Sequence, residues 1–283
     1  MIEADIKDFW QSNPCGAKLV GDLTAEERRE YEDFFARYDE YRYRKEPHIL
    51  TNLDKINFRG KRVLEIGLGQ GADAEALVKR GAIYSGIDLT EESVKRVKMR
   101  FELKDLEFEK IEQASALETP FADNSFDIVF SHGVLHHIPE VKTASREIAR
   151  ILKPGGELVS MLYAKRSLNY LVSIAVIRKL GLAAFFVTGR KGSGIVGEHL
   201  ENARRMGLAE YLSMRNFIHV NTDGPRNPYS KVYDLGAVQE DFPDFEIVRS
   251  YQCFMHAPPL KVGWLPLEKL LGWHLWVHLK PKK

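Results

Sequence analysis

The chain has 283 residues, of which 44% are apolar and 29% charged, and this balance excludes an intrinsically disordered chain. Its 41 lysines and arginines nearly cancel its 40 aspartates and glutamates. A net charge of +1 therefore weighs against a nucleic-acid partner, which usually requires a basic surface. The length suffices for one domain with a lid.

Cysteine content and hydropathy favour a cytoplasmic protein without a structural metal. Cys15 and Cys253 are too few for a disulfide framework or a complete zinc site. The N-terminal segment MIEADIKDFW is acidic where a signal peptide would be basic. Arg178 and Lys179 interrupt the apolar run 168–187, so no integral membrane segment is expected. The oligomeric state is left open.

Residues 1–60 have a polar, helical pattern and form a predicted N-terminal helical cap. Thr24, followed by Glu27 three residues later, has the spacing of a capping box at a helix start. Pro47 should end or bend the helix that follows.

From residue 61 to residue 283, short β-rich runs alternate with amphipathic helical stretches that begin near Ala72, Glu91 and Pro139. The predicted strands are 61–66, 82–87, 106–111, 126–131, 156–163, 245–255 and 272–280. This order predicts an α/β fold, a Rossmann-like seven-stranded, mostly parallel sheet with helices on both faces. The last two strands should form a hairpin at one edge. Residues 164–244, between strands 5 and 6, are too long for a simple connection and are interpreted as a helical lid.

A glycine-rich loop follows the first predicted strand, in VLEIGLGQGAD at 63–73. Glycines are needed where a backbone turns sharply and lets a ligand approach closely. Asp88 ends the second strand, where a carboxylate can accept hydrogen bonds from both hydroxyls of a ribose. The same pattern satisfies the dinucleotide fingerprint, so the loop alone leaves NAD open.

Four segments in order resemble the motifs of class I S-adenosylmethionine-dependent methyltransferases, in particular the group that includes the quinone-biosynthesis and arsenite methyltransferases. They are EIGLGQG (65–71), IDLTEESVKRVK (87–98), ALETPFADNSFDIVFSHGVLHHIP (116–139) and REIARILKPGGELV (146–159). The resemblance implies S-adenosyl-L-methionine as cofactor, S-adenosyl-L-homocysteine as product, and in-line methyl transfer to a small molecule. It does not identify the acceptor atom.

The resemblance also implies roles for individual residues. Glu65 should support the glycine loop or contact the cofactor's ammonium through water, and Asp88 should hold the ribose. Ser115 stands where relatives carry an aspartate that accepts from the adenine amino group, so the Ala116 amide should matter more here. The full set of expected cofactor-binding residues is Glu65, Gly67, Leu68, Gly69, Gly71, Asp88, Leu89, Ser115, Ala116, Leu117 and Ser131.

Candidates for catalysis and substrate binding follow from position rather than from a motif. His132 and His136 come after the fourth strand, at the ligand-binding edge of such sheets, although local packing accounts for either imidazole equally well. The substrate candidates are Tyr41, Arg42, Tyr43, Tyr163, Arg166, Tyr170, Asn227 and Tyr229. We expect the N-terminal segment and the 164–244 insertion to close the site from two sides, because a methyl donor needs shielding from water.

Two alternatives stay open on the sequence. The apolar run 168–187 and the aromatic segment GWHLW suggest a hydrophobic, quinone-like or lipid-like substrate, although a lid helix packed on the sheet also explains that run. The chain could also bind the cofactor without transferase activity.

Overall fold

The computed structural model describes residues 2–14, 16, 21 and 28–282. The predicted capping box at Thr24 and Glu27, and Cys15, lie outside these described residues. The N-terminal region contains helices α1 (Ile2–Ser12), α2 (Arg28–Lys45) and α3 (His48–Leu53). Pro47 stands between α2 and α3, where a helix break was predicted.

Seven strands form one sheet in the order β3-β2-β1-β4-β5-β7-β6. They are β1 (Arg62–Ile66), β2 (Ile83–Asp88), β3 (Lys110–Gln113), β4 (Phe126–His132), β5 (Leu152–Tyr163), β6 (Phe245–Cys253) and β7 (His274–Pro281). Strands β1 to β5 pair in parallel, and β7 runs antiparallel to both β5 and β6. The Rossmann-like fold and the edge hairpin are therefore as predicted.

Helices α4 (Ala72–Lys79), α5 (Glu91–Leu103) and α6 (Val141–Ile151) connect the parallel strands. Successive β1 side chains point to opposite faces, so Val63 packs with the α4 and α5 side while Leu64 packs with α6. Both faces of the sheet are thus covered, as the nearly continuous apolar strands require.

Two strands begin four residues away from their predicted starts, while the bounds of the other five lie within two residues of the predicted ones. The third begins at Lys110 instead of residue 106, because the Leu106 N–H donates to the Phe101 carbonyl and closes the end of α5. Strand β5 begins earlier than predicted, at Leu152, which pairs with Phe126 before an irregularity in the ladder.

The 164–244 insertion is helical. A π-helical segment, Asn169–Arg178, continues into α7 (Lys179–Val187). It is followed by α8 (Gly194–Met206), α9 (Leu208–Tyr211), α10 (Met214–Phe217), α11 (His219–Thr222) and α12 (Leu235–Asp241), and α13 (Glu268–Leu271) lies between β6 and β7.

The continuous helix Asn169–Val187 is long and apolar enough to cross a membrane by length and composition, with a hydropathy of 1.8. Arg178 and Lys179 lie within this helix, and the expectation that it is no integral membrane segment stays a prediction. The sequence also allowed a lid helix packed on the sheet. The helix is too exposed for that arrangement, because only 17% of its most apolar 18-residue stretch is buried. Its buried residues Ile174 and Leu182 pack within the insertion, beside Leu200 of α8.

Candidate active site

A cavity opens at the carboxyl ends of β1, β2 and β4, beneath helices α1 and α2. This is the edge at which open parallel sheets bind ligands. Nine of the predicted cofactor residues line it, namely Glu65, Gly67, Leu68, Gly69, Asp88, Leu89, Ser115, Ala116 and Leu117. Gly71 and Ser131 lie outside the lining.

The glycine loop has the left-handed backbone that its sequence predicts. Gly67 has φ +85°, and a Cβ there would lie 2.1 Å from a methyl carbon of Val134, so no other residue fits without rearrangement. Gly71, with φ +77°, caps the start of α4 and packs against Val97 and Arg100. Gly71 therefore shapes the loop rather than contacting a ligand.

Asp88 has a structural role that the sequence did not indicate. One carboxylate oxygen accepts from the Leu68 N–H at 2.7 Å, and the other accepts from the N–H and hydroxyl of Thr90, each at 2.8 Å. Burial raises the pKa of this carboxyl despite those bonds. Asp88 thus fixes the glycine loop while facing the cavity.

Glu65 lines the same cavity and is almost fully buried. Its Oε2 accepts from the Tyr84 hydroxyl at 2.5 Å. Burial raises the pKa of the Glu65 carboxyl well above its ordinary value, with the neighbouring Asp73 adding to the effect. A cationic ligand in the cavity would oppose that rise.

Ser115 does not stand alone at the predicted adenine-binding turn. Its hydroxyl donates to the Glu3 carboxylate of α1 at 2.5 Å and accepts from the Leu117 N–H at 3.1 Å. Glu3 also lines the cavity. The N-terminal helix therefore brings a carboxylate to the place where relatives carry an aspartate.

Ser131 is not a cavity residue. Its side chain is fully buried and donates to the Ile66 carbonyl at 3.0 Å, joining β4 to the end of β1. The hydroxyl proton is thus used between strands, and the cofactor contact expected of Ser131 stays a prediction.

Arg42 and His132 meet at the inner end of the cavity. The Arg42 guanidinium makes a two-point ion pair with Asp73, at 2.5 and 3.2 Å, and also lies 3.2 Å from His132 Nδ1. Burial would raise the pKa of the Asp73 carboxyl, but Arg42 holds it below its usual value.

The tautomer of His132 follows from this contact. Arginine can only donate, so Nδ1 accepts and the ring proton resides on Nε2. Burial lowers the pKa of His132 to about 3, so the ring is neutral near pH 7. Its Nε2 is buried without a partner among the described residues. His132 is therefore arranged to donate a hydrogen bond rather than to remove a proton.

A possible metal-binding group, Glu46, His132 and His274, has ligand atoms within 4.8 Å of one another. The tautomer of His132 weighs against a metal at this group. A metal needs the lone pair of His132 Nε2, but Arg42 fixes the proton on that atom and adds a positive charge nearby. Burial raises the pKa of Glu46, which favours the neutral acid over the carboxylate ligand.

The two histidines of the following turn differ in placement. His136 is fully buried, lies outside the lining, and stacks on Tyr163 with ring centroids 3.8 Å apart. The structure therefore offers no support for a direct catalytic role of His136, which stays a prediction. His137 lines the cavity, donates from Nδ1 to the Tyr229 carbonyl at 2.8 Å, and has Nε2 3.4 Å from Asp223 Oδ2.

Of the eight substrate candidates, Arg42 alone lines the cavity. Tyr43 donates to the Ala72 carbonyl, and Tyr163 donates to Asp223. Asn227 is buried and donates within its own turn to the His219 carbonyl. The remaining candidates outside the lining are Tyr41, Arg166, Tyr170 and Tyr229. Most of these aromatic and polar side chains thus build the scaffold.

The two segments predicted to close the site lie differently with respect to the cavity. The N-terminal side contributes lining residues from α1 and α2, including Glu3, Trp10 and Arg42. The insertion 164–244 contributes none to this lining. It instead holds the turn at the cavity edge, since the Lys231 N–H donates to the His136 carbonyl at 2.9 Å.

No pattern in the sequence predicts several of the residues that line the cavity. Glu3, Ile6 and Trp10 lie in a helix more than fifty residues before the glycine loop, and no spacing rule connects them to it. His137 was noticed only as part of a pair, and its partner Asp223 lies 86 residues further along. The edge-to-face contact of Trp10 with His137, at 5.2 Å, links these two missed parts of the site.

The donor set fits S-adenosylmethionine on structural grounds. Glu65 and Asp88 supply carboxylates for a cation and a ribose diol, and Leu89 with Ala116 offers apolar surface for a base. The unpartnered Nε2–H of His132 leaves one polar group at the inner end for a further ligand atom.

Comparison with known proteins agrees with this geometry. Residues 64–160 match the family model described as a methyltransferase domain. A fatty-acid O-methyltransferase of Mycolicibacterium smegmatis is 38% identical over 104 residues, which cover 36% of this chain and 37% of that protein. A ubiquinone biosynthesis O-methyltransferase of Coxiella burnetii is 32% identical over 120 residues, covering 42% and 51%.

The matched region thus spans between about a third and a half of these curated relatives. Among solved structures, an S-adenosylmethionine-dependent methyltransferase of Mesorhizobium loti superposes with a TM-score of 0.52 and 17% identity, covering 85% of this chain and 97% of that one. That likeness supports the fold. The fold and cavity define a nucleoside-cofactor domain of the Rossmann-like class. Residues 64–160 match a methyltransferase-domain model and are similar to the methyltransferases named above, and S-adenosylmethionine is the cofactor that this match and the cavity indicate.

Proposed function

We propose that this protein transfers a methyl group from S-adenosylmethionine to a small-molecule acceptor. One observation carries the proposal. A single cavity connects the glycine loop and Asp88 to the two histidines His132 and His137. Cofactor-binding groups and groups able to orient an acceptor therefore face the same enclosed space.

The bound cofactor would supply an already activated methyl group, so the protein's main task is positioning. Asp88 and the glycine backbone would fix the nucleoside end. The His132 Nε2–H would donate to an acceptor-side oxygen or nitrogen and so orient it. Helices α1 and α2 exclude water from above, since Trp10 and Arg42 lie in the lining.

If the acceptor carries a proton, His137 is the better placed histidine to receive it. Its Nδ1–H is held by the Tyr229 carbonyl, which leaves the lone pair of a neutral ring on Nε2. Asp223 beside Nε2 would stabilise the imidazolium that forms. His132 lacks both features.

A lipophilic acceptor is the second candidate, and the lining favours it. Ile6, Trp10, Val134 and Ile138 surround the histidine end of the cavity with apolar surface. The names of the relatives, which refer to a fatty acid and to ubiquinone biosynthesis, support the same substrate class for this chain.

The test is transfer of label from methyl-labelled S-adenosylmethionine to metabolite fractions separated into aqueous and organic extracts. The proposal expects labelled product with the wild-type protein and a large loss with Asp88→Ala. Label in the organic extract favours the lipophilic acceptor, and label in the aqueous extract favours a polar one. Cofactor binding without transfer to any fraction would instead favour a binding protein without transferase activity.

A further inference from the structure

The outer face of the helical insertion is apolar and uncovered. Its exposed aliphatic side chains include Leu180 at 66% and Val187 at 79% of full exposure. Leu171, Val172, Val176 and Ile195 add to the same insertion surface. So many exposed aliphatic side chains in one insertion are unusual for a soluble surface and are typical of a contact site.

A second exposed apolar set lies beside it, in the connection between β6 and β7. Trp264 is 78% exposed and Leu270 68%, and Leu267 is also exposed. The two sets belong to neighbouring segments, because the Arg178 guanidinium donates to the Pro258 carbonyl at 3.0 and 3.1 Å. Leu168 also packs into the small core of that connection, with Val262. We call the two sets together the apolar face.

The charged residues near the apolar face indicate which kind of partner would bind it. Residues 158–197 contain six lysines and arginines and no aspartate or glutamate, although the whole chain has a net charge of only +1. Arg190 and Lys191 follow α7 directly and are exposed. Neither makes a hydrogen bond or an ion pair with another described residue. Apolar side chains bordered by unpaired cations, with an exposed tryptophan, match the boundary of an anionic bilayer.

From this combination we infer that the apolar face docks the protein onto the surface of a membrane that contains anionic lipids. The inference goes beyond methyl transfer and does not depend on it. A second copy of the chain is a poorer occupant, because a symmetric contact would bring the two sets of Arg190 and Lys191 together.

The helix lies on the membrane rather than across it. Asn169, Ser173 and Ile174 are buried against the protein, and Arg178 is held in mid-helix by the Pro258 and Asn221 carbonyls. Spanning would require removing Arg178 from those partners and placing its charge in hydrocarbon. An interfacial helix keeps its anchored side on the protein and inserts the exposed side.

Flotation of the full chain with vesicles tests the inference. We expect binding to vesicles of phosphatidylcholine with 30% phosphatidylglycerol, and weaker binding to pure phosphatidylcholine or at high salt. Leu180→Asp with Val187→Asp should lower the partition coefficient at least about tenfold, and Arg190→Glu with Lys191→Glu should abolish the lipid preference. Leu235→Asp, an exposed leucine at the start of α12, is the matched control and should bind like the wild type.

Trp264 provides an internal reporter. Its emission should shift to the blue with anionic vesicles, and Trp264→Phe should remove most of that shift, because Trp273 and Trp276 are already buried and Trp10 lies in the cavity against His137. Affinity for S-adenosylhomocysteine and thermal stability should be unchanged in every variant, which separates this inference from the proposed function. Absent binding to anionic vesicles, or equal binding by all variants, would overturn it. So would a dimer in sedimentation that Leu180→Asp dissolves while vesicle binding is absent.

Discussion

The hydroxyl of Ser115 donates to the carboxylate of Glu3 across 2.5 Å, and this bond joins the first helix to the turn predicted to hold the adenine. The two residues are 112 positions apart. A carboxylate thus reaches this turn from α1, and we propose that it takes the part that the family resemblance assigns to an aspartate within the turn.

This hydrogen bond predicts that an aspartate at position 115 weakens cofactor binding instead of strengthening it. Ser115→Asp, which restores the relatives' residue, should weaken S-adenosylhomocysteine binding, because its carboxylate would face that of Glu3 at hydrogen-bond distance. Glu3→Gln alone should also weaken binding, by about tenfold, the scale of a hydrogen bond to a charged group. The double variant Glu3→Gln, Ser115→Asp should recover most of the affinity in calorimetric titration. Additive losses would show that the two positions do not share one role.

Asp88→Ala should lower both the affinity for S-adenosylhomocysteine and the stability of the fold. Loss of hydrogen bonds to a charged acceptor corresponds to about 1.5–3 kcal/mol, or roughly 10- to 150-fold in the dissociation constant. The melting temperature should fall as well, since the Leu68 and Thr90 N–H groups lose their acceptor. Asp127→Ala is the matched control, because Asp127 accepts from the Arg62 N–H at the other end of the strands. It should alter stability with no effect on affinity. Equal affinities for wild type and Asp88→Ala would place the ribose elsewhere.

Cofactor affinity should depend on pH through Glu65. Burial raises its pKa, so part of the free protein carries the neutral acid, and a cationic ligand binds the carboxylate better. Affinity for S-adenosylmethionine should therefore rise with pH through that pKa. Binding should also release protons, detectable as buffer-dependent heats. Glu65→Gln should flatten the pH dependence. A wild-type affinity that does not change with pH, or one that changes equally in Glu65→Gln, would be inconsistent with this assignment.

Acid should destabilise the fold through buried neutral histidines. Burial lowers the pKa to about 4 for His48 and His256 and to about 3 for His132, against about 6.5 in an unfolded chain. Below pH 6.5 the unfolded state binds protons that the folded state excludes. The free energy of unfolding should thus fall by ~1.4 kcal/mol per pH unit for each histidine, until its folded pKa is reached.

In the variant His256→Phe, the free energy of unfolding should depend less steeply on pH, by the contribution of one histidine. It keeps the aromatic stacking on Phe254, whose ring centroid lies 5.1 Å away. Urea unfolding at several pH values between 4.5 and 7 measures the slope. An unchanged slope in the variant would mean that His256 does not contribute to acid sensitivity.

The sheet could be predicted because residues close together in the sequence determine its strands and the helices between them. The alternation of strands and helices from residue 61 and the punctuating glycines define it, and only β3 and β5 have an end more than two residues from its predicted place. The cofactor side of the cavity was predicted for the same reason, since the Glu65 to Leu68 loop and Asp88 lie at strand ends. Gly71 and Ser131 lie there too, but backbone packing uses them.

The other side of the site depends on long-range packing that spacing does not encode. Glu3 and Trp10 reach the cavity only because α1 crosses its mouth, and His137 gains its role from Asp223 in a distant turn. The insertion was expected to cover the site for its apolar content. That content instead faces outward at Leu180 and Val187, because the helix packs on its neighbours through a narrow strip around Ile174 and Leu182.

Calorimetric titration of the purified protein with S-adenosylhomocysteine and with NAD tests the central claim most directly. The glycine loop satisfies the fingerprints of both ligand classes, so the comparison separates them. The account predicts saturable one-to-one binding of S-adenosylhomocysteine, competition by S-adenosylmethionine, and no heat with NAD. Binding of NAD without binding of S-adenosylhomocysteine would contradict it.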